Sequence, residues 1–227
     1  TERSIAFGNN DRPGIMLAGS IREYINRWSV CPGKNVVVFT NNDDGWRTVS
    51  DLKSNNINVS AVIDVRKETP FHDKETPVYS GTSIIDTSGR LRISSVTLST
   101  GEKIPCDCLA VSGGWNPNVH LTCHQRGKPV WNDALNAFLP NNIPKNMKTA
   151  GATDGMLQLG EALKSGHLKA KEIAELLGKK ASKSSAPSAD NESVKNTSFW
   201  HVSESKKRCW VDLQNDVTTK DIKISFM

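Results

Sequence analysis

The sequence predicts an α/β fold built round a parallel sheet, and three observations carry that expectation. Val36 to Phe39 and Val59 to Ile63 are continuous β-branched and apolar runs, as in parallel strands covered on both faces. The polar stretch GWRTVSDLKSN separates them, giving strand, helix and strand within about thirty residues, the span of a βαβ unit. Its crossover is expected to be right-handed. Helical apolar spacing then recurs near both ends of the chain.

The elements follow in order. Pro13-Gly14 makes a turn, and Met16, Leu17, Ile21, Tyr24, Ile25 and Trp28 recur at helical spacing. An amphipathic helix is expected there, ended by Cys31-Pro32-Gly33. In the βαβ unit, Asp43 or Asp44 is the expected helix cap. Short alternating runs from Pro77 to Val111, with turn signals at Ser88-Gly89 and Thr100-Gly101, predict an antiparallel meander. Its last member, Cys106 to Val111, is apolar enough to return to the main sheet.

Met156, Leu157, Leu159, Leu163, Leu168, Ile173, Leu176 and Leu177 give a long helix its apolar face. Gly178 caps its C-terminus, and a break near Gly166 is expected. KKASKSSAPSADNESVKNTS is a linker by composition. Order restarts with a short strand at Val211 to Leu213. Thr218 and Asp221 then have the spacing of a capping box.

The 227 residues suffice for one large domain or two modest ones. The net charge is +5, but much of the surplus lies in or beside the polar stretch, at Lys179, Lys180, Lys183, Lys206, Lys207 and Arg208. No basic, aromatic-rich face signals nucleic acid. No apolar run reaches the 18 or so residues of a membrane span, and no signal peptide is visible. Five irregularly spaced cysteines without a CxxC pair suit a reducing cytoplasm and exclude a zinc ribbon. Cys106 and Cys108 read as buried small residues on one side of a strand. His120, Cys123 and His124 read as structural, His72 as solvated, and no metal site is expected. A start at Thr1 and a stop at Met227 read as a fragment of a longer polypeptide.

A βαβ unit invites a nucleotide, yet its loop, TNNDDGW, has one glycine and two carboxylates where a pyrophosphate would lie. The architecture is kept and the phosphate cradle is lost. Asp64, ending the second strand, reads as a surface aspartate. The turn AGATDGM offers Gly151, Ala152, Thr153, Asp154 and Gly155 at the expected start of the long helix. Its amides suit a phosphate or a ring carbonyl, and equally a tight turn that contacts only protein. In LAVSGGWNPNVHL, Gly113 and Gly114 shed their side chains where something approaches closely.

Read together, NDRPGIMLAGSIREYIN, VVVFTNNDDGWRTVSDL, CDCLAVSGGWNPNVHL, AGATDGMLQLGEALKSG and WVDLQNDVTTKDI resemble the alpha subunits of heterotetrameric sarcosine oxidases. The resemblance implies a two-domain dinucleotide-binding fold like that of the pyridine-nucleotide disulfide reductases, incomplete at both ends. Residues 1–28 would end the first half of the outer domain and 32–112 would form the inner one. Residues 113–178 would return to the outer domain, 179–198 would link, and 199–227 would open the next.

Gly114, Pro117 and Asn118 are similar to the turn that approaches the cofactor cleft in related flavoproteins. The Gly-Asp those proteins carry before their last helix is here Gly151-Ala152, with Asp154 two residues on, which disfavours a flavin in this lobe. The resemblance implies NAD in this subunit, FMN at the interface with a beta subunit, FAD within the beta subunit, and tetrahydrofolate in a downstream domain. It also implies beta, gamma and delta partners, an amine substrate, and no catalytic residue in this segment. The whole complex would demethylate sarcosine to glycine with formation of hydrogen peroxide. Alternatives are the alpha subunit of a related amine or opine dehydrogenase, and a scaffold with a vestigial nucleotide fold.

Overall fold

The structure is a computed structural model that describes residues 1–69, 71, 74–180 and 184–226. The His72 expectation falls outside them. Its elements are β1 (Ile15–Leu17), α1 (Ala18–Trp28), β2 (Asn35–Thr40), α2 (Asp44–Ser54), β3 (Asn58–Asp64), β4 (Val78–Ser80), β5 (Ile84–Ser88), β6 (Ser95–Leu98), β7 (Lys103–Pro105) and β8 (Cys108–Ser112). After these come β9 (Val130–Asn132), β10 (Ala137–Leu139), α3 (Leu159–Leu176), β11 (Trp210–Asp212), β12 (Val217–Thr218) and α4 (Thr219–Ser225).

Five strands form a parallel sheet in the order β1-β8-β2-β3-β4, with Val38 paired to Val62 on one side and Ala110 on the other. The βαβ unit is therefore present, and β8 returns to the sheet between β1 and β2. Side-chain alternation divides the core in two. Val36, Val38, Val62 and Ala110 face α1 and α2, meeting Ile21, Ile25, Trp46 and Leu52. Val37, Phe39, Ile63, Leu109 and Val111 face the other way, onto Phe7, Ile84, Val96, Leu98 and Val202. Both faces are covered, which is why these strands read as unbroken apolar runs. The expected meander is the antiparallel sheet β5-β6-β7.

Several expectations need correction. Met16 and Leu17 belong to β1, and the helix begins at Ala18. Three residues are too few for strand alternation to stand out against the helical pattern that follows directly. Cys106 and Cys108 are both buried, but they join opposite cores, because Cys106 precedes β8 and is not pleated with it. Burial first, and then Asp107, pushes each thiol up to about 12. Helix α3 runs unbroken through Gly166 and closes with a C-terminal turn in which Gly178 (φ +67°) and Lys179 donate back to Glu175 and Ala174.

The chain groups into two compact units, one of Thr1 with Trp115–Asn196 and one of Glu2–Gly114 with Thr197–Met227. Residues 199–227, expected to open a further domain, lie in the second. There Ala6 and Trp200, Asn9 and Arg208, and Asn10 and Trp210 are joined by hydrogen bonds of 2.8–2.9 Å. The capping box at Thr218 and Asp221 forms as spaced, with both reciprocal bonds present. No described helix is long and apolar enough to cross a membrane.

Candidate functional site

In an open parallel sheet, ligands bind beyond the carboxyl ends of the strands, where the chain direction of winding reverses. Here that place is the end of β8 and β2. It is filled by the chain's own side chains. Asn42 Oδ1 accepts from the amides of Asp44 (2.8 Å) and Gly45 (3.3 Å) at the head of α2. Its Nδ2 donates to Asn41 Oδ1, the Ser112 carbonyl and Ser112 Oγ at 2.8–3.1 Å. Asp43 holds the N-cap position of α2, as expected, but makes no side-chain capping bond; Asn42, one residue earlier, supplies those bonds instead. The helix amides that would greet a pyrophosphate are already satisfied.

The two aspartates serve a different purpose. Asp43 pairs with Arg66 Nη1 at 2.6 Å. Arg66 also holds Asp64 through Nε (3.0 Å) and Nη2 (2.8 Å), and Trp46 Nε1 donates to the same carboxylate at 2.9 Å. Asp64 is fully buried, which corrects its reading as a surface residue. The error had a physical source, since the arginine that compensates its burial lies past the strand's end and has no helical or strand spacing to Asp43. Burial lowers the Arg66 pKa, but the hydrogen bonds it donates to Asp64 and Asp43 outweigh that, and the guanidinium stands above its ordinary value. On the outer side, Asp44 takes Arg22 at 3.0 Å and Arg47 at 3.1 Å.

Glu2 closes this cluster. Its Oε2 accepts from Gly19 N at 2.8 Å, at the head of α1. Burial above all, with Asp44 adding to it, pushes its carboxyl up to about 7, against opposing effects of the Gly19 amide, Arg22 and Ser112. A carboxyl that titrates near neutrality at a strand-end cluster had no signal in the sequence, because its neighbours come from three separate segments.

Gly113 and Gly114 lie directly beyond β8, in this same unit. Gly113 N donates to Arg3 O, and Arg3 N donates to Gly114 O, both at 2.8 Å. A Cβ on Gly113 would stand 2.5 Å from Arg3 O and 2.8 Å from Ser4 O. What approaches closely there is the chain's own amino-terminal segment. Trp200 Nε1 donates to the Gly113 carbonyl at 2.7 Å, which completes the enclosure.

Gly151, Ala152, Thr153 and Asp154 form a 3₁₀ turn in the other unit, ended by Gly155 at φ +81°. The turn does not head α3. That helix begins at Leu159 and takes Gln158 as its cap. The Gly151 amide donates to Ser165 Oγ at 3.2 Å, and the Thr149 hydroxyl donates to the Asp154 carboxylate. A Cβ on Gly155 would press on Leu135 (2.6 Å) and Leu139 (2.9 Å), whereas at Gly151 the nearest atom is 3.6 Å away and Ala152 is exposed. The outward part of the turn is thus Gly151 to Thr153. His120 and Cys123 lie in a 3₁₀ segment that breaks at His124, whose backbone is extended, and no group of three or more potential metal ligands occurs among the described residues.

No family model matches the chain. It is 34% identical over 231 residues to sarcosine oxidase subunit alpha of Rhizobium meliloti (strain 1021), an alignment covering 99% of this chain and 23% of that protein. It is 39% identical over 181 residues to the subunit of the same name from Corynebacterium sp. (strain P-1), covering 73% of this chain and 19% of that one. The chain thus spans about a quarter or less of the curated relatives it matches. Among solved structures, L-proline dehydrogenase from P. horikoshii superposes with a TM-score of 0.63 at 19% identity, over 80% of this chain and 34% of that one. That likeness shows a shared fold. Over the segment it spans, this chain belongs to the family of sarcosine oxidase alpha subunits.

Proposed function

We propose that this chain is part of the alpha subunit of a sarcosine oxidase complex that demethylates sarcosine to glycine and yields hydrogen peroxide. The observation that carries the reading is the 34% identity that extends over 99% of the chain, through both compact units. On this reading, beta, gamma and delta subunits are the partners. The complex would hold FAD in the beta subunit, FMN at the interface with the beta subunit and tetrahydrofolate in a downstream domain, groups that would supply amine oxidation, electron transfer and one-carbon capture. The chain's own contribution is dinucleotide binding and assembly.

Within the chain, the Asn42 cap argues against a phosphate site on α2, since its side-chain oxygen holds the amides such a site would use. The turn Gly151 to Gly155 fits a dinucleotide better. Gly151 at φ +61° and exposed Ala152 bare the backbone toward solvent, with room for a close approach. Gly151, Ala152 and Thr153 would hold NAD, which supplies a hydride-accepting ring when bound. Asp154, tied to Thr149, and Gly155, packed on Leu135 and Leu139, would keep that turn in shape.

The test is co-expression with the companion subunits and measurement of sarcosine-dependent oxygen uptake and peroxide release. Turnover of sarcosine supports the reading. Absence of sarcosine turnover alongside oxidation of another amino acid, with electrons passed to an acceptor other than oxygen, would replace it with the dehydrogenase alternative.

A further inference from the structure

The hairpin that joins β5 to β6, in the second compact unit, carries Gly89-Arg90-Leu91-Arg92 at its tip. Leu91 is 84% exposed, more than any other large apolar side chain of that unit except Phe226. A single exposed leucine is ordinary on a protein surface. Two features set this one apart.

The first is bracing. Ile93 N donates to Pro13 O at 2.9 Å, and Ser94 N donates to Ser88 O at 2.8 Å. Arg12 donates through Nε to Thr87 Oγ1 at 3.2 Å and through Nη1 to the Gly89 carbonyl. Arg92 donates through Nη2 to the Asp107 carbonyl at 2.7 Å. Gly89 stands at φ +148°, and a Cβ there would press into the Arg92 carbonyl, so the turn depends on glycine. The chain thus holds an apolar side chain out in water on a firm support. An anchor ordered in advance loses little conformational freedom on binding.

The second is charge. Arg90 and Arg92 flank Leu91, and Arg12 reaches the same turn at Gly89. The bonds of Arg12 and Arg92 go to carbonyl and hydroxyl oxygens, and among the described residues none of the three arginines makes an ion pair. The acids of the same segments are committed elsewhere. Asp107 accepts from the amides of Lys34 and Asn35 at 2.8–3.0 Å, and Asp86 accepts from Asn9 Nδ2 and Thr87 N. Exposed Asp11, beside Arg12, offsets one of the three positive charges. The tip is therefore an apolar knob set among cations in surplus.

We propose that this tip docks a companion subunit of the complex, at an apolar pocket rimmed by carboxylates. The proposal rests on the reading of the chain as part of a multi-subunit assembly. Leu91 fills the pocket as its anchor. Arg90 and Arg92 meet the rim, where a guanidinium gives a carboxylate two parallel hydrogen bonds. A polyphosphate would engage the arginines and leave Leu91 in water, so a protein surface fits the whole tip better.

The experiment co-expresses the tagged chain with the companion subunits and follows dissociation of the purified complex on dilution, at low and at raised salt. Leu91→Asp and Arg90→Glu each change an exposed side chain, with circular dichroism reporting the fold. Each should weaken assembly at least about tenfold. Raised salt should weaken the parent complex more than the Arg90→Glu complex. Arg27→Glu makes the same charge change on α1, at a side chain 68% exposed, and should leave assembly as in the parent. The proposal is overturned if both tip variants assemble as the parent does, or if Arg27→Glu weakens assembly as much as Arg90→Glu. A parent chain that retains no companion subunit would overturn the reading of a complex, and this proposal with it.

Discussion

Arg66→Met is the sharpest probe of the strand-end cluster. The side chain it removes is 10% exposed, and its partners Asp43 and Asp64 are 1% and 0% exposed. Methionine fills the space but leaves two buried carboxylates without their cation. Breaking such a pair from one side costs about 3–5 kcal/mol. Trp46 still donates to Asp64, so the loss should fall near the lower bound, about 3 kcal/mol. At about 2–4 °C per kcal/mol for a chain of this size, the melting point should drop by roughly 6–12 °C. Urea unfolding at pH 7 gives the free energy directly.

A companion variant tests the cause. Arg66→Met combined with Asp43→Asn should recover about half of the loss, because one buried charge is gone. A loss below about 1 kcal/mol for Arg66→Met, or no recovery in the double variant, would refute the assignment of a buried ion cluster.

Other outcomes follow from single residues. Glu2, at about 7 in the folded chain against an ordinary 4.5, should make stability fall as pH rises between those values and level off above them. After discounting for partial exposure the change is about 1–2 kcal/mol, and denaturation curves of Glu2→Gln should lack that slope. Asn42→Ala uncaps α2 and leaves Ser112 short of a donor, so urea unfolding should show a loss of about 1–2 kcal/mol. Added sulfate should then stabilise the variant more than the parent, by occupying the freed amides. Gly166→Ala meets nothing within 4 Å in the middle of α3 and should raise stability by about 1 kcal/mol in thermal unfolding.

The parallel sheet was legible because β2, β3 and β8 are buried on both faces, which leaves an unbroken apolar signature. The capping box at Thr218 was legible because its two bonds join residues three apart. β1 was not, since three residues leading straight into a helix leave no period to count. The strand-end cluster was half legible. The acidic loop announced that no phosphate belongs on α2, but Asn42 and Arg66, which make that loop stable, act through folded geometry across 70 and 23 residues. Gly113 and Gly114 announced a close approach without saying to what. Arg3 and Trp200, which answer it, lie more than 80 residues away on either side.

The most direct test of the functional account is to identify, by mass, the nucleotides released on denaturing the complex assembled round this chain. Ala152→Glu places a carboxylate on the exposed shoulder of the Gly151–Gly155 turn with little cost to its packing. The account predicts NAD in the parent complex and its loss from the variant, with the flavins retained in both. NAD retained by the variant, or absent from the parent, would contradict dinucleotide binding on this turn and leave the chain a scaffold.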